Sequence, residues 1–114
     1  MTHVLGHLRR LFVHSFGRER SAHKADATRR MTPAPEIRLS AHGDGLVILH
    51  IPSGRVFVCN STGCRIWNGV AKGASADDVS EEISREFGVE PAVAREDTMA
   101  FVTKLEQQGL LLRA

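Results

Sequence analysis

The sequence contains no apolar run of the roughly 18 residues needed to span a bilayer. Its N-terminal stretch has no long apolar centre, because His3, His7, Arg9, Arg10 and His14 interrupt it. Neither a transmembrane helix nor a secretion signal is therefore expected, and the reading is a cytoplasmic protein without stable membrane association. Cysteine is scarce: Cys59 and Cys64 are the only two. Two are too few for a disulfide scaffold, and a lone C-x4-C lacks the second ligand pair of a zinc site, so reduced, partly buried thiols are expected. There is no glycine-rich phosphate loop, no HExxH and no GxSxG. Four of the six histidines precede residue 30. Of the remaining two, His42 falls in a turn cluster and His50 at a strand end, and neither has a nucleophile or ligand partner at a usable spacing. Asp77 and Asp78 suit a helix start, where the dipole favours acids, and Glu81, Glu82 and Glu86 read as a solvated helix face. These absences argue against an enzyme; no catalytic residue, metal or cofactor is expected.

What is present fits one domain of 114 residues, with 42% hydrophobic and 25% charged residues. The net charge of +2 conceals a division. Residues 1–30 hold seven Lys/Arg against Glu19 and Asp26, a net +5, which leaves residues 31–114 at −3. The basic pI of about 8.8 thus belongs to the N-terminal stretch. A mildly acidic remainder argues against nucleic acid as a partner.

Residues 1–35 read as a basic N-terminal extension, separate from a domain over 36–114. Val4, Leu5, Leu8, Leu11, Phe12 and Phe16 recur at helical spacing, which suits a short basic amphipathic helix touching a membrane or a partner; a flexible extension is the other reading. Either Met1 or Met31 is compatible with a natural start. From Glu36 the pattern is β. Ile37–Leu39 and Leu46–Ile51 read as strands around a His42-Gly43-Asp44-Gly45 turn, and Pro52-Ser53-Gly54 turns the chain into a third strand, Arg55–Cys59. The period then becomes helical. A first helix is expected over about Thr62–Ala71, capped by Asn60 or Ser61, with Ile66, Trp67 and Val70 inward. A second runs from the Ser75-Ala76-Asp77-Asp78 cap to about Phe87, with Val79, Ile83 and Phe87 inward. A third runs from Pro91 to about Gln108, with Ala94, Thr98, Phe101, Val102 and Leu105 inward. Leu110-Leu111-Leu112 is an apolar coda fit to pair or pack.

The stretch Gly54-Arg55-Val56-Phe57-Val58-Cys59-Asn60-Ser61-Thr62-Gly63-Cys64-Arg65-Ile66-Trp67 resembles the PqqD-like family, with its hairpin strand, its Asn-x-Thr-Gly step and its Ile-Trp helix. Ala76–Ile83, Phe87-Gly88-Val89, and Asp97, Phe101, Leu105 and Gly109-Leu110-Leu111 continue the series, so the resemblance covers about residues 36–112. Cys59 departs from the family's usual Leu, and Thr98 from a more usual aliphatic residue. The resemblance implies an α+β, winged-helix-like fold: a three-stranded antiparallel sheet followed by three helices. It also implies the role of a RiPP recognition element, a domain that binds the leader of a ribosomally made, post-translationally modified peptide. The leader adds as a strand to the third strand and sits in a groove beside the third helix. The stand-alone lasso-peptide members are the better likeness.

The residues permit that mode. An open strand edge offers unpaired backbone groups to an extended peptide, which makes Arg55, Val56, Phe57, Val58 and Cys59 the candidate edge. On the third helix Val93, Asp97, Ala100, Lys104 and Gln108, with Phe101, form the candidate groove wall. The implied partners are a precursor leader peptide and a maturation enzyme, either a leader peptidase or a radical-type modifying enzyme. The basic N-terminal residues 1–30, outside the resemblance, are expected to be dispensable for leader binding. Two other readings remain open: a winged-helix DNA-binding domain, for which Arg95 and Lys104 among Glu90, Glu96, Asp97 and Glu106 give the wrong charge, and a regulatory protein-interaction module that binds no leader.

Overall fold

The computed structural model describes residues 2–5 and 27–114. The elements are β1 (Thr2–Leu5), β2 (Met31–Pro33), β3 (Ile37–His42), β4 (Gly45–His50), β5 (Arg55–Cys59), α1 (Ser61–Ala71), α2 (Ala76–Phe87), α3 (Pro91–Gln107) and β6 (Leu111–Arg113). Strands β3, β4 and β5 form the expected antiparallel meander, and the three helices follow it. Two pairings extend the plan. β1 joins the main sheet, giving the order β1-β5-β4-β3, and β2 pairs with β6 in a separate two-stranded sheet.

The meander follows from its turns and its alternation. In the β4–β5 loop Gly54 takes φ +72°, a left-handed conformation that glycine adopts without steric cost, and its N–H donates to the His50 carbonyl at 2.8 Å. The hairpin register sets Leu46 opposite Cys59 and Ile48 opposite Phe57. These four residues are buried, and Val47, Leu49, Val56 and Val58 between them are only half-buried. That is the period of two expected of a sheet with one face on the core. Gly45 is required by a close approach: a Cβ there would lie 2.6 Å from the Cys59 carbonyl oxygen. Leu39 shares the inward face, being opposite Ile48, yet is 51% exposed; the helical layer stops short of β3.

The first two helices start on a side-chain cap. Asn60 Oδ1 accepts from the Gly63 N–H at 3.0 Å, and Ser75 Oγ from the Asp78 N–H at 3.1 Å, contacts worth about 1 kcal/mol each. Pro91 occupies the first turn of α3, where its missing N–H costs nothing. Gly88 and Gly109, both at positive φ, close α2 and α3. The helices bury Ile66, Trp67 and Val70 from α1, Val79 and Ile83 from α2, and Ala94, Phe101, Val102 and Leu105 from α3, in one core with the sheet. Ion pairs lie at the rim: Arg65 with Glu82 and Glu86 joins α1 to α2, and Arg95 with Asp77 at 2.8 Å joins α3 to α2.

Three features differ from the sequence reading. Phe87, expected inward, is 46% exposed; it is the last residue of α2, where the chain turns away at Gly88 and leaves it uncovered. The folded unit reaches upstream of Glu36: Met31 is buried, the Ala27 carbonyl accepts from the Asp77 N–H at 3.0 Å, and Arg30 donates to the Gly73 carbonyl. Thr2–Leu5 is a strand, although Val4 and Leu5 opened the helical spacing; the rest of that proposed helix, Leu8 to Phe16, lies outside the described residues.

Two core positions yield predictions. Thr98 is fully buried and its Oγ1 makes no hydrogen bond, and an unsatisfied buried hydroxyl is costly. Thr98→Val, which keeps the shape, should raise stability by about 1 kcal/mol, read as a higher urea midpoint at unchanged slope. At Cys59, burial first and the neighbouring Cys64 second push the thiol from 9.0 up to about 12. Cys59 should therefore resist a thiol reagent at pH 8 until the protein unfolds. The unfolded thiol ionises near 9 and the folded one only near 12, so the folded state holds the proton more tightly. Stability should accordingly fall as pH rises from about 9, and Cys59→Val should remove that part of the slope.

Candidate functional site

β5 is the element on which the candidate site depends. β4 occupies one of its hydrogen-bonding edges and leaves the other to a further strand. That second edge is in use: Thr2–Leu5 runs parallel to it, with Thr2 beside Val56, His3 beside Phe57, Val4 beside Val58 and Leu5 beside Cys59. The pairing makes β5 an acceptor of short extended segments. The helical spacing across residues 4–16 masks this strand in the sequence; the signal for it is β-branched Thr2 and Val4 at alternate positions, followed by Gly6.

The five candidate residues on β5 play different parts. Phe57 and Cys59 are buried beneath the helices, so they can offer a peptide only their backbone. Val56 and Val58 stand half-buried on the opposite face. Arg55 points to the same side as Phe57 and lays its guanidinium over the ring, 5.4 Å from the centroid, a cation–π contact that closes the end of the core.

The candidate helix wall is divided in the same way. The buried stripe of α3 is Ala94, Asp97, Thr98, Phe101, Val102 and Leu105, which is the i, i+3, i+4 pattern of a core-facing helix. Asp97, 1% exposed, and Phe101, 0% exposed, belong to it. Neither side chain is presented to a ligand in this structure, and reversing the charge at Asp97 would test folding rather than binding. Val93, 43% exposed, and half-buried Ala100, Lys104 and Gln108 form the accessible flank. Phe57 of β5 and Phe101 of α3 both belong to the common core.

Among the described residues no group of His, Cys, Asp and Glu could hold a metal ion, and no helix is long and apolar enough to cross a membrane. The structure offers a strand edge, and on α3 a mixed apolar and polar face; an edge of this kind suits main-chain recognition of an extended peptide.

Comparison with known proteins identifies the family. The family model for coenzyme PQQ synthesis protein D (PqqD) matches residues 45–111, more than half of the chain. A solved structure of lasso peptide synthetase B1 complexed with the leader peptide is similar at 31% identity and a TM-score of 0.68, over 73% of this chain and 98% of that one. A structure of TbiB1 in complex with the TbiA(beta) leader peptide has the same fold at 24% identity and a TM-score of 0.66, over 70% of this chain and 93% of that one. No curated protein sequence matches. From β4 to the start of β6, the ordered series of hairpin, Ile-Trp helix and two further helices is that of a single family, and the chain belongs to the PqqD family.

Proposed function

We propose that this chain is a RiPP recognition element of the lasso-peptide type. It binds the leader of a precursor peptide as a strand added to β5, beside the accessible flank of α3, and presents it to a maturation enzyme. The observation that carries the reading is that the edge of β5 beyond β4 takes up an additional short strand. Membership of the PqqD family and similarity to a lasso peptide synthetase B1 solved with a leader peptide support it.

The chain itself does no chemistry in this reading. Cys59 is buried with its thiol held protonated, and the ion-paired residues Arg65, Arg95, Asp77 and Glu86 tie helices together at the rim. The partner is a leader peptidase or a radical-type modifying enzyme, which brings the reactive groups. A DNA-binding role is not favoured, because Arg95, one of the two basic residues of α3, is engaged by Asp77.

The test is titration of a fluorescein-labelled synthetic leader, taken from the precursor encoded beside this chain, against folded variants. Val56→Pro and Val58→Pro each remove a backbone donor, and at least one should weaken the leader tenfold or more. Lys104→Glu should weaken an acidic leader by about 1 kcal/mol, the upper range for a part-exposed pair. If all three variants fold and bind as the wild type does, the groove is elsewhere. Mass spectrometry of precursor incubated with the pure protein should find it unaltered; a modified or cleaved product would overturn the non-enzymatic reading.

A further inference from the structure

The edge that the proposed function assigns to the leader is already taken. We propose that Thr2–Leu5 is a resident strand, an intramolecular stand-in that holds the β5 edge and must be displaced before a leader binds. The inference rests on the leader-binding reading and adds to it the occupant of the site in the leader-free protein.

The composition of the two sheet edges points this way. An uncovered strand edge is a template for association, and proteins protect it with charge or with a covering segment. At the β3 edge Arg38, Ser40 and His42 supply polar groups along an exposed strand. β5 reads Arg-Val-Phe-Val-Cys, with no charge after Arg55, so covering is the protection left to it. The register supplies that cover, with Thr2–Leu5 set against four of the five residues of β5, Val56 to Cys59.

The cover is also of a kind that can leave. A four-residue strand makes few backbone bonds, and their net gain is nearly matched by the entropy of ordering the segment. Residues 6–26 connect it to the described remainder of the chain, and a chain of that length reaches at most about 70 Å when extended. The longest extent of the protein is 36 Å, so release requires no unfolding of the sheet. The tether keeps the segment at high effective concentration and returns it once the leader has gone. The apparent leader affinity is then reduced by the fraction of time the edge is vacant. Removing the segment should on this account strengthen leader binding, where an inert extension would leave it unchanged.

The experiment compares the full chain with His3→Pro/Val4→Pro, which removes adjacent backbone donors from the resident strand. A chain lacking residues 2–10 is the second variant, and it retains the Ala27 and Arg30 contacts to the domain. Circular dichroism establishes folding, and sedimentation gives the oligomeric state of each chain. Without leader, the amides of Val56–Cys59 should exchange faster with deuterium in both variants than in the full chain. The labelled synthetic leader should bind both variants three- to tenfold more tightly than it binds the full chain. A labelled synthetic peptide of residues 1–10 should bind the deletion variant and be displaced by unlabelled leader. Equal exchange at β5 in all three chains overturns the resident strand, leaving the leader reading intact. Protection that appears only in a dimer of the full chain assigns the strand to a second copy and overturns the intramolecular form. Leader affinity equal or weaker in both variants overturns displacement. A leader that binds none of the chains overturns the leader-binding reading, and the exchange data then judge the resident strand by themselves.

Discussion

Leu46, Ile48, Phe57 and Cys59 stand on one face of a single hairpin, and two strands alone cannot remove them from water. The three helices that follow supply the cover. Trp67 of α1, Ile83 of α2, and Phe101 and Leu105 of α3 share one core with the hairpin face, so no helix is positioned independently of it. The hairpin register decides which of its residues face inward, and a slip of one residue would exchange that set for Val47, Leu49, Val56 and Val58. Gly45, wedged against the Cys59 carbonyl, and Gly54 in the loop hold that register from the two ends of the hairpin.

The same constraint explains which parts of the molecule were legible in the sequence. Period and punctuation coincide from β4 to α3: strand alternation ends at Asn60, the cap residues fall where the period changes, and Pro91 and Gly109 bracket the last helix. β2 and β6 have three residues each, too few to establish a period. The leucine run offered a choice between pairing and packing, and Leu111 does both, buried and opposite Pro33. Asp97 was misplaced because an acid was expected on the wet side of a helix, whereas its position within the buried stripe of α3 outweighs its polarity. Val4 and Leu5 were drawn into a helical pattern with residues further on. Which edge a parallel strand joins depends on contacts across more than fifty residues, and such contacts leave no local periodicity.

The candidate site was legible to the same uneven degree. β5 came from alternation and turn chemistry, and its register with β4 turns Phe57 and Cys59 to the core. That the third helix forms the wall came from the resemblance, and the residues of the wall from spacing. The residues of that wall outside the core, Val93, Ala100, Lys104 and Gln108, lie one step around the helix from those that the core claims. Spacing locates a helix face to within about one residue, and on a helix with 3.6 residues per turn one residue is 100°.

β2 and β6 lie antiparallel, with Met31 opposite Arg113, and the Ala114 N–H donates to the Arg30 carbonyl at 3.1 Å. Residues 31–113 thus begin and end side by side, the two rails hydrogen-bonded to each other, with Thr2–Leu5 added to β5 from further upstream. A body closed in this way keeps its shape whatever is attached on either side, because tension on the flanking chain meets the paired strands before it reaches the core. It can be threaded into a surface loop of a larger protein at little conformational expense, since the host loop has only to open by the spacing of two adjacent strands.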